Sequence, residues 1–298
     1  MRVSTLSISN TVIQQIQQLG SQQSKLQVQV ATGQRIFNPG DDPTAVGRVL
    51  NLESESRMLG QYERNIDRAM ELSQASYSAL RELKKVSDRA SEIGSLGAGV
   101  TSAESARAYA AEVDQLIEQA VQLGNTRFRN DYLFAGTAVD AAPFVASRGT
   151  DGKVTSVAYA GNADRTAISL SETTSVTPGT DNATNTGLRD FIGSLVALRD
   201  ALTANDNSAV IAAQGSLLTS EDVLVNGVAE QGGIQTRIEA SRTLLTSRSD
   251  DIQKLISAEA DIDLPEAVVR LNQALTSYQA ALQSSANIMR LSLLDYIR

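Results

Sequence analysis

Cysteine and histidine are both absent from this chain. Thiolate nucleophiles, imidazole-based triads, disulfides and Cys/His zinc sites are therefore excluded from its chemistry. Carboxylate chemistry remains open, either glycoside hydrolysis by an acid pair or Mg²⁺ binding through oxygen ligands. The most pointed cluster is Arg35 with the adjacent Asp41 and Asp42. Neighbouring residues at a helix start do not face a common substrate, so catalysis by this pair is not expected. Asp42 followed by Pro43 reads instead as an N-cap and first helical position, a cap worth about 1 kcal/mol. Arg35 with the two aspartates is open to three readings: a contact between subunits, a turn lock within the chain, or solvated charge. Tyr132, Phe134 and Phe144 read as local core, not as a ligand site. No catalytic, cofactor or metal residue is assigned.

The elements that position these residues are long. Only 4% of the residues are aromatic and Trp is absent, fewer large side chains than a compact enzyme of 298 residues would bury. With 20% charged and 42% hydrophobic residues the chain is still not compositionally disordered, a balance that suits amphipathic helices with narrow buried stripes. A net charge of −8 without a basic run argues against nucleic acid as a partner. The first residues show no apolar signal core, and no stretch approaches the run of about 18 apolar residues that a membrane span needs, so membrane insertion is not expected.

A helix is expected over about Ile8 to Thr32, with Val12, Ile16, Leu19, Gln23, Leu26 and Val30 stepping by four and three. The turn Phe37-Asn38-Pro39-Gly40-Asp41-Asp42-Pro43 ends it. A second helix runs from Pro43 to about Ile93 on a seam through Val49, Leu52, Ser56, Leu59, Glu63, Ile66, Met70, Ser73, Tyr77 and Leu80. About 50 residues would make roughly 75 Å of rod. Gly94, Gly97 and Gly99 break the pattern, and a shorter helix follows over about Ala103 to Leu123. From about Asn130 to Thr186 helical periodicity is lost, and β-prone pieces appear at Tyr132–Phe134, Lys153–Tyr159 and Arg165–Leu170. Helix returns at about Leu188 to Leu202 and again at about Ser208 to Ala260. In the latter, Val210, Leu217, Leu224, Gln231, Ile238, Leu245 and Ile252 recur every seven residues beside a softer row of Val228, Gln235 and Ile256. The last helix, with Pro265 as its first residue, carries Leu264, Val268, Leu271, Leu275, Tyr278, Leu282, Ser285 and Met289 at the same four-and-three spacing.

The expected fold is mainly α, a long antiparallel helical coiled-coil rod built from both chain ends with a small β-rich inserted domain. Residues 1–40 with 262–298 make a terminal helical domain, 41–130 with 187–261 a long-helix rod, and 131–186 the insertion. Gln23 and Ser285 interrupt the terminal seams. Two arrangements stay open: the ends pair with each other, or they order when many copies pack side by side. Ordering costs about 1–2 kcal/mol per residue in backbone entropy, which new apolar burial must offset.

Three segments carry a resemblance. Gln29 to Pro43, with Gly33, Arg35, Ile36, Pro39, Asp41, Asp42 and Pro43, closely resembles the N-terminal signature of the flagellin superfamily. Asp131-Tyr132-Leu133-Phe134-Ala135-Gly136-Thr137, with Pro143-Phe144 beyond, is similar to that superfamily's hook–filament junction branch. Pro43 and the Tyr132–Gly136 stretch set it apart from filament flagellins. Ala267 to Tyr296 is similar to the shared C-terminal end. The resemblance implies paired terminal helices as an axial domain, the long helices as an outer rod and the insertion projecting furthest. It also implies unfolded export through the flagellar type III apparatus, a cytosolic chaperone on the C-terminal helix beforehand, and a final place outside the cell. There a ring of copies would sit between the other hook-associated junction protein and flagellin, without enzymatic activity. On that reading Val12, Ile16, Leu19, Leu26, Val30, Leu271, Leu275, Tyr278, Leu282 and Met289 form assembly interface, and Tyr132, Phe134 and Gly136 the insertion base. Filament flagellin is the alternative within the same class; a cytosolic coiled-coil scaffold or sensor is the alternative outside it.

Overall fold

The computed structural model describes the backbone of residues 5–99 and 102–296, with side chains from residue 10 to 287. The protein is mainly α, and the described residues form six helices: α1 (Thr5–Thr32), α2 (Pro43–Ala98), α3 (Ala103–Gly124), α4 (Asn182–Ala204), α5 (Asn207–Ala260) and α6 (Leu264–Tyr296). Between α3 and α4 lie three two-stranded antiparallel sheets. They pair β1 (Arg127–Phe128) with β2 (Asp131–Tyr132), β3 (Phe144–Arg148) with β4 (Val154–Tyr159), and β5 (Ile168–Ser169) with β6 (Ser175–Val176). Aspartates start most helices. Asp42 accepts from Ala45 N (3.0 Å) ahead of α2, Asp181 from Thr184 N (2.7 Å) ahead of α4, and Asp206 from Ala209 N (3.1 Å) ahead of α5. Asp263 does the same for α6, accepting from Glu266 N at 3.2 Å, so α6 opens at Leu264 and Pro265 is its second residue.

The chain divides into two compact units, residues 1–58 with 248–298 and residues 59–247. In the first, α1 packs on α6. Their sense is antiparallel: Gly33 O accepts from Ile262 N, while Gly20 lies against the Tyr278 ring. Ala45 is buried at the start of α2, and Arg48 of α2 meets Glu259 of α5.

In the second unit α2 runs antiparallel to α5, fixed by Asp67 with Arg242, Ser73 with Gln231 and Lys84 with Glu221. Leu80, Leu83 and Ile93 of α2 join Val113 and Ile117 of α3, Phe191 and Leu195 of α4, and Leu217 and Leu224 of α5 in the principal core. Phe144 and Val154 of the β3–β4 hairpin close that core from the side. A second, smaller core gathers Ile66, Ala69, Met70, Ile234, Ile238 and Leu245 under Leu170, the residue after β5, and Val176 of β6.

Three sequence expectations are corrected. Gly94 and Gly97 do not break α2, because α4 lies directly on them: a Cβ at Gly97 would sit 2.6 Å from Leu202 Cδ2. The non-helical stretch ends earlier than Thr186, since the Asp181 cap starts α4 at Asn182 and buries Thr184 and Asn185. Beside Val210, Leu217, Leu224 and Gln231 the better-covered row is Ala213, Ser220, Gly227 and Ile234, mostly small residues that let the helices approach closely, while the expected Val228, Gln235 and Ile256 are half-buried.

Candidate functional site

The terminal seam comes first. Val12, Ile16, Leu19, Gln23, Leu26 and Val30 of α1 are all half-buried, the row expected from their spacing. On α6 the most covered positions are Ala267, Leu271, Ala274, Tyr278, Ala281 and Ser285, again stepping by four and three. Leu271, Tyr278 and Ser285 belong to the expected row; the alanines replace Val268 and Leu282, which stay exposed at 42% and 43% with Leu264 at 47%. Leu275 is half-buried between the two rows, and the side chain of Met289 lies outside the described residues. The apolar stripe of α6 is thus wider than the strip that α1 covers.

The turn after α1 is tied down from both sides. Gly33 closes the helix with φ +72°, a left-handed conformation that suits glycine, and its N donates to Gln29 O at 2.9 Å. Arg35 then stitches three elements together. Its backbone N donates to Ala260 O (2.7 Å), its carbonyl accepts from the buried Gln29 Nε2 (2.7 Å), and its Nη2 donates to Glu259 O (2.5 Å). Arg35 Nη1 also stands 3.5 Å from Asp42. Arg48 makes a two-pronged pair with Glu259, both bonds 2.9 Å, which raises the guanidinium pKa and lowers that of the carboxyl.

Asp41 accepts from Lys25 Nζ (2.7 Å), Asn38 N (3.0 Å) and Phe37 N (3.2 Å). Lys25 first, then the two amides, pull its pKa down to about 2. The Asp42 carboxyl is also held low, mainly by the Ala45 amide that it caps. The arginine and the two aspartates therefore form a lock within the chain. Beside it Ile36, Phe37, Pro39, Val46, Leu50 and Ile256 line an open groove of about 390 Å³, where Phe37 and Leu50 are 58% and 55% exposed.

The third site is the Asp131–Thr137 turn. Leu133, Phe134 and Ala135 are buried, Phe134 completely, and Phe144 packs tilted against Tyr159 with ring centroids 5.5 Å apart. Tyr132 sits at the rim, its hydroxyl accepting from Arg127 Nη2 (2.6 Å) under the same guanidinium. Sequence reasoning missed the partner of this turn, Asn162. Asn162 N donates to Ala135 O (3.2 Å), Asn162 Oδ1 accepts from Thr137 N (2.8 Å), and Asn162 Nδ2 donates to Thr137 Oγ1 (2.7 Å). Gly136 is pinched inside this clasp at φ +69°; a Cβ there would lie 2.5 Å from Asn162 O and 3.0 Å from Asp164 O, and closer still to Asn162 Oδ1. The Tyr159 hydroxyl reaches Phe134 O at 3.0 Å, and burial raises its pKa.

These sites organise backbone; they do not converge on a reacting atom. Among the described residues no acidic cluster of metal-binding geometry occurs, and no helix is long and apolar enough to cross a membrane.

Residues 3–139 match the bacterial flagellin N-terminal helical region. Over 261 residues the chain is 26% identical to the flagellar filament 30.7 kDa core protein of Treponema maltophilum, covering 87% of this chain and 86% of that one. It is 29% identical over 146 residues to flagellar hook-associated protein 3 of Salmonella typhimurium, covering 48% of this chain and about half, 46%, of the relative. Among solved structures, FlgL of Bacillus cereus shares the fold with a TM-score of 0.60 at 19% identity, over 70% of this chain and 99% of that one.

Proposed function

We propose that this chain, which carries the flagellin N-terminal helical region, is a structural subunit of the bacterial flagellum at the junction between hook and filament. The carrying observation is on α6: α1 covers one side of its apolar stripe and leaves Leu264, Val268 and Leu282 exposed, a face suited to sister molecules and axial neighbours. The terminal seam residues from Val12 to Val30 and from Leu271 to Met289 are the assembly interface on this reading, and the Arg35–Asp42 lock fixes the turn that follows α1. The domain division is axial (1–40 with 262–298), rod (41–130 with 187–261) and outer insertion (131–186). Its partners are copies of itself in a ring, the other hook-associated junction protein and flagellin. Before that the chain is held in the cytosol by an export chaperone on its C-terminal helix and leaves through the type III apparatus. No enzymatic step is assigned to it.

A second reading, filament flagellin, is favoured by the end-to-end similarity to the Treponema filament core protein. Pro43 and the Asp131–Thr137 turn favour the junction. Deleting the gene and examining cells by electron microscopy separates the two. The junction reading expects bare hooks with unpolymerised flagellin in the medium. Filaments that remain normal and firmly attached refute it, and long filaments grown from the purified chain alone favour the second reading.

A further inference from the structure

The α2–α5 seam changes character halfway along the second unit. On one side Leu80 and Leu83 face Leu217 and Leu224; on the other Ile66 and Met70 meet Ile234 and Ile238. Between Met70 and Ala79 on α2 the buried positions are Ser73 and Ser76, and between Leu224 and Ile234 on α5 they are Gly227 and Gln231; the apolar side chains at that level, Leu72, Ala75 and Val228, are only half-buried. Ser73 Oγ donates to Gln231 Oε1 at 2.8 Å. Gln231 Nε2 and Ser76 Oγ are buried with no protein partner, and so is Gln235 Nε2 one turn further along α5. A buried amide with an unpaired donor weakens the packing around it.

The helix itself is weak at the same level. Gly227, Gly232 and Gly233 fall within seven residues of α5, and each lowers helix propensity relative to alanine. Only Gly227 is required by packing, because Thr184 Cγ2 lies 3.0 Å from where its Cβ would be. Gly232 and Gly233 have nothing within 4 Å of an added Cβ, so crowding does not explain them. Ser87 and Ser91 Oγ of α2 are unpaired as well, but among the buried Val86, Ala90 and Ile93; only at the Ser73–Gln231 level do unpaired polar atoms, a seam without a buried apolar side chain and low helix propensity coincide.

We propose that this cross-section is a joint: the place where α2 and α5 loosen together and the seam bends, between two apolar segments that stay closed. Regions with few apolar contacts open locally at lower free energy than the cores that flank them. For a subunit seated between unlike neighbours, the reading above on which this use rests, a joint lets one end adapt without unpacking the other. The joint itself is a property of the free chain and is measured there, so its failure is distinct from failure of the flagellar reading.

Native-state hydrogen exchange on the full chain tests it. Residues 71–78 and 226–235 are expected to exchange about tenfold or more faster than 80–93 and 210–224. Gly232→Ala/Gly233→Ala adds helix propensity without a clash, and it is expected to slow exchange about tenfold over 226–235 and also across the seam at 71–78. Transmission to α2 separates a joint from a merely local helix effect. The pair Ser73→Ala/Gln231→Leu, which removes both polar partners, raises the thermal midpoint. Uniform protection in the parent, slowing confined to α5 in the alanine variant, or a lower midpoint in the apolar pair overturns the proposal.

Discussion

Replacing Gly136 by alanine separates two costs that positive-φ glycines usually carry together. Gly136 (φ +69°) and Gly152 (φ +80°) both lie at a positive φ that suits glycine, but Gly152 has nothing within 4 Å of an added Cβ, whereas Gly136 is gripped by Asn162 and Asp164. At Gly152 alanine should lose only the left-handed penalty, about 1–2 kcal/mol. At Gly136 the same penalty applies, and Asn162 must also move. That gives up two or three of its hydrogen bonds to Ala135 and Thr137, each worth about 1 kcal/mol net. The expected losses are therefore about 1–2 kcal/mol for Gly152→Ala and about 3–5 kcal/mol for Gly136→Ala, the latter a large part of a typical stability of 5–15 kcal/mol. Urea unfolding followed by tyrosine fluorescence reads the difference, and hydrogen exchange over 131–162 locates it. Equal losses at the two glycines would refute the clasp as the reason for Gly136.

Arg199 is 5% exposed and donates to Val154 O (2.6 Å), Asp114 (3.1 Å) and Asp200 (2.7 Å), so Arg199→Leu should cost about 2–4 kcal/mol, the range reduced because both carboxylates reach water; a melt unchanged from the parent would contradict this. The Asp41 pKa is depressed from 3.8 to about 2, so its contribution to the turn is complete above pH 4 and is lost as pH falls through about 2. A carboxyl NMR titration of Asp41 placing its midpoint near 4 would remove that claim, and Lys25→Ala should move the midpoint upward. On α6, Ala274→Asp puts a charge under α1 and should strip protection from α1, while the exposed Leu282→Asp should leave the fold within about 0.5 kcal/mol of the parent and reduce only assembly. Protection of α1 surviving Ala274→Asp, or Leu282→Asp assembling normally, counts against the division of the α6 stripe.

Helix type and order were legible in the sequence because Pro, Asp and Gly punctuate long heptad runs. What misled was size. Reading a seam by its large apolar residues finds Leu271 and Tyr278, or Ile66, Met70 and Leu80, but it passes over the small residues beside them and takes in Glu63, Val268 and Leu282, which stay exposed. The covered row is Ala267, Ala274 and Ala281 on α6, Ala69 and Ser76 on α2, and Ala213, Ser220 and Gly227 on α5. Small residues lie there because the helices are close, and closeness is a property of the pair that neither helix shows alone. The Asn162 clasp was hidden for a similar reason: its partners are 25 residues away, mostly backbone groups, and an isolated asparagine in a polar loop carries no signal. The β3 strand, Phe-Val-Ala-Ser-Arg, is too short and mixed to show an alternation, and its identity comes from pairing with β4. The turn lock was half visible: Asp42 as a cap followed from Pro43, but Glu259, the acid that Arg48 grips, could not be matched from the opposite end of the chain.

The meeting of Gly33 with Ile262 has a consequence for how the molecule is made. Contacts that join the first and last helices have near-maximal sequence separation, so the loop they close forms late and slowly. A ribosome adding about 5–20 residues per second exposes α1 for roughly 10–50 s before the helix that covers it has emerged. During that interval the row from Val12 to Val30 faces only water, with glutamines and serines around it to keep it soluble. The polar interruptions that make the finished pair look marginal thus also protect the nascent chain from sticking to its neighbours on the same message.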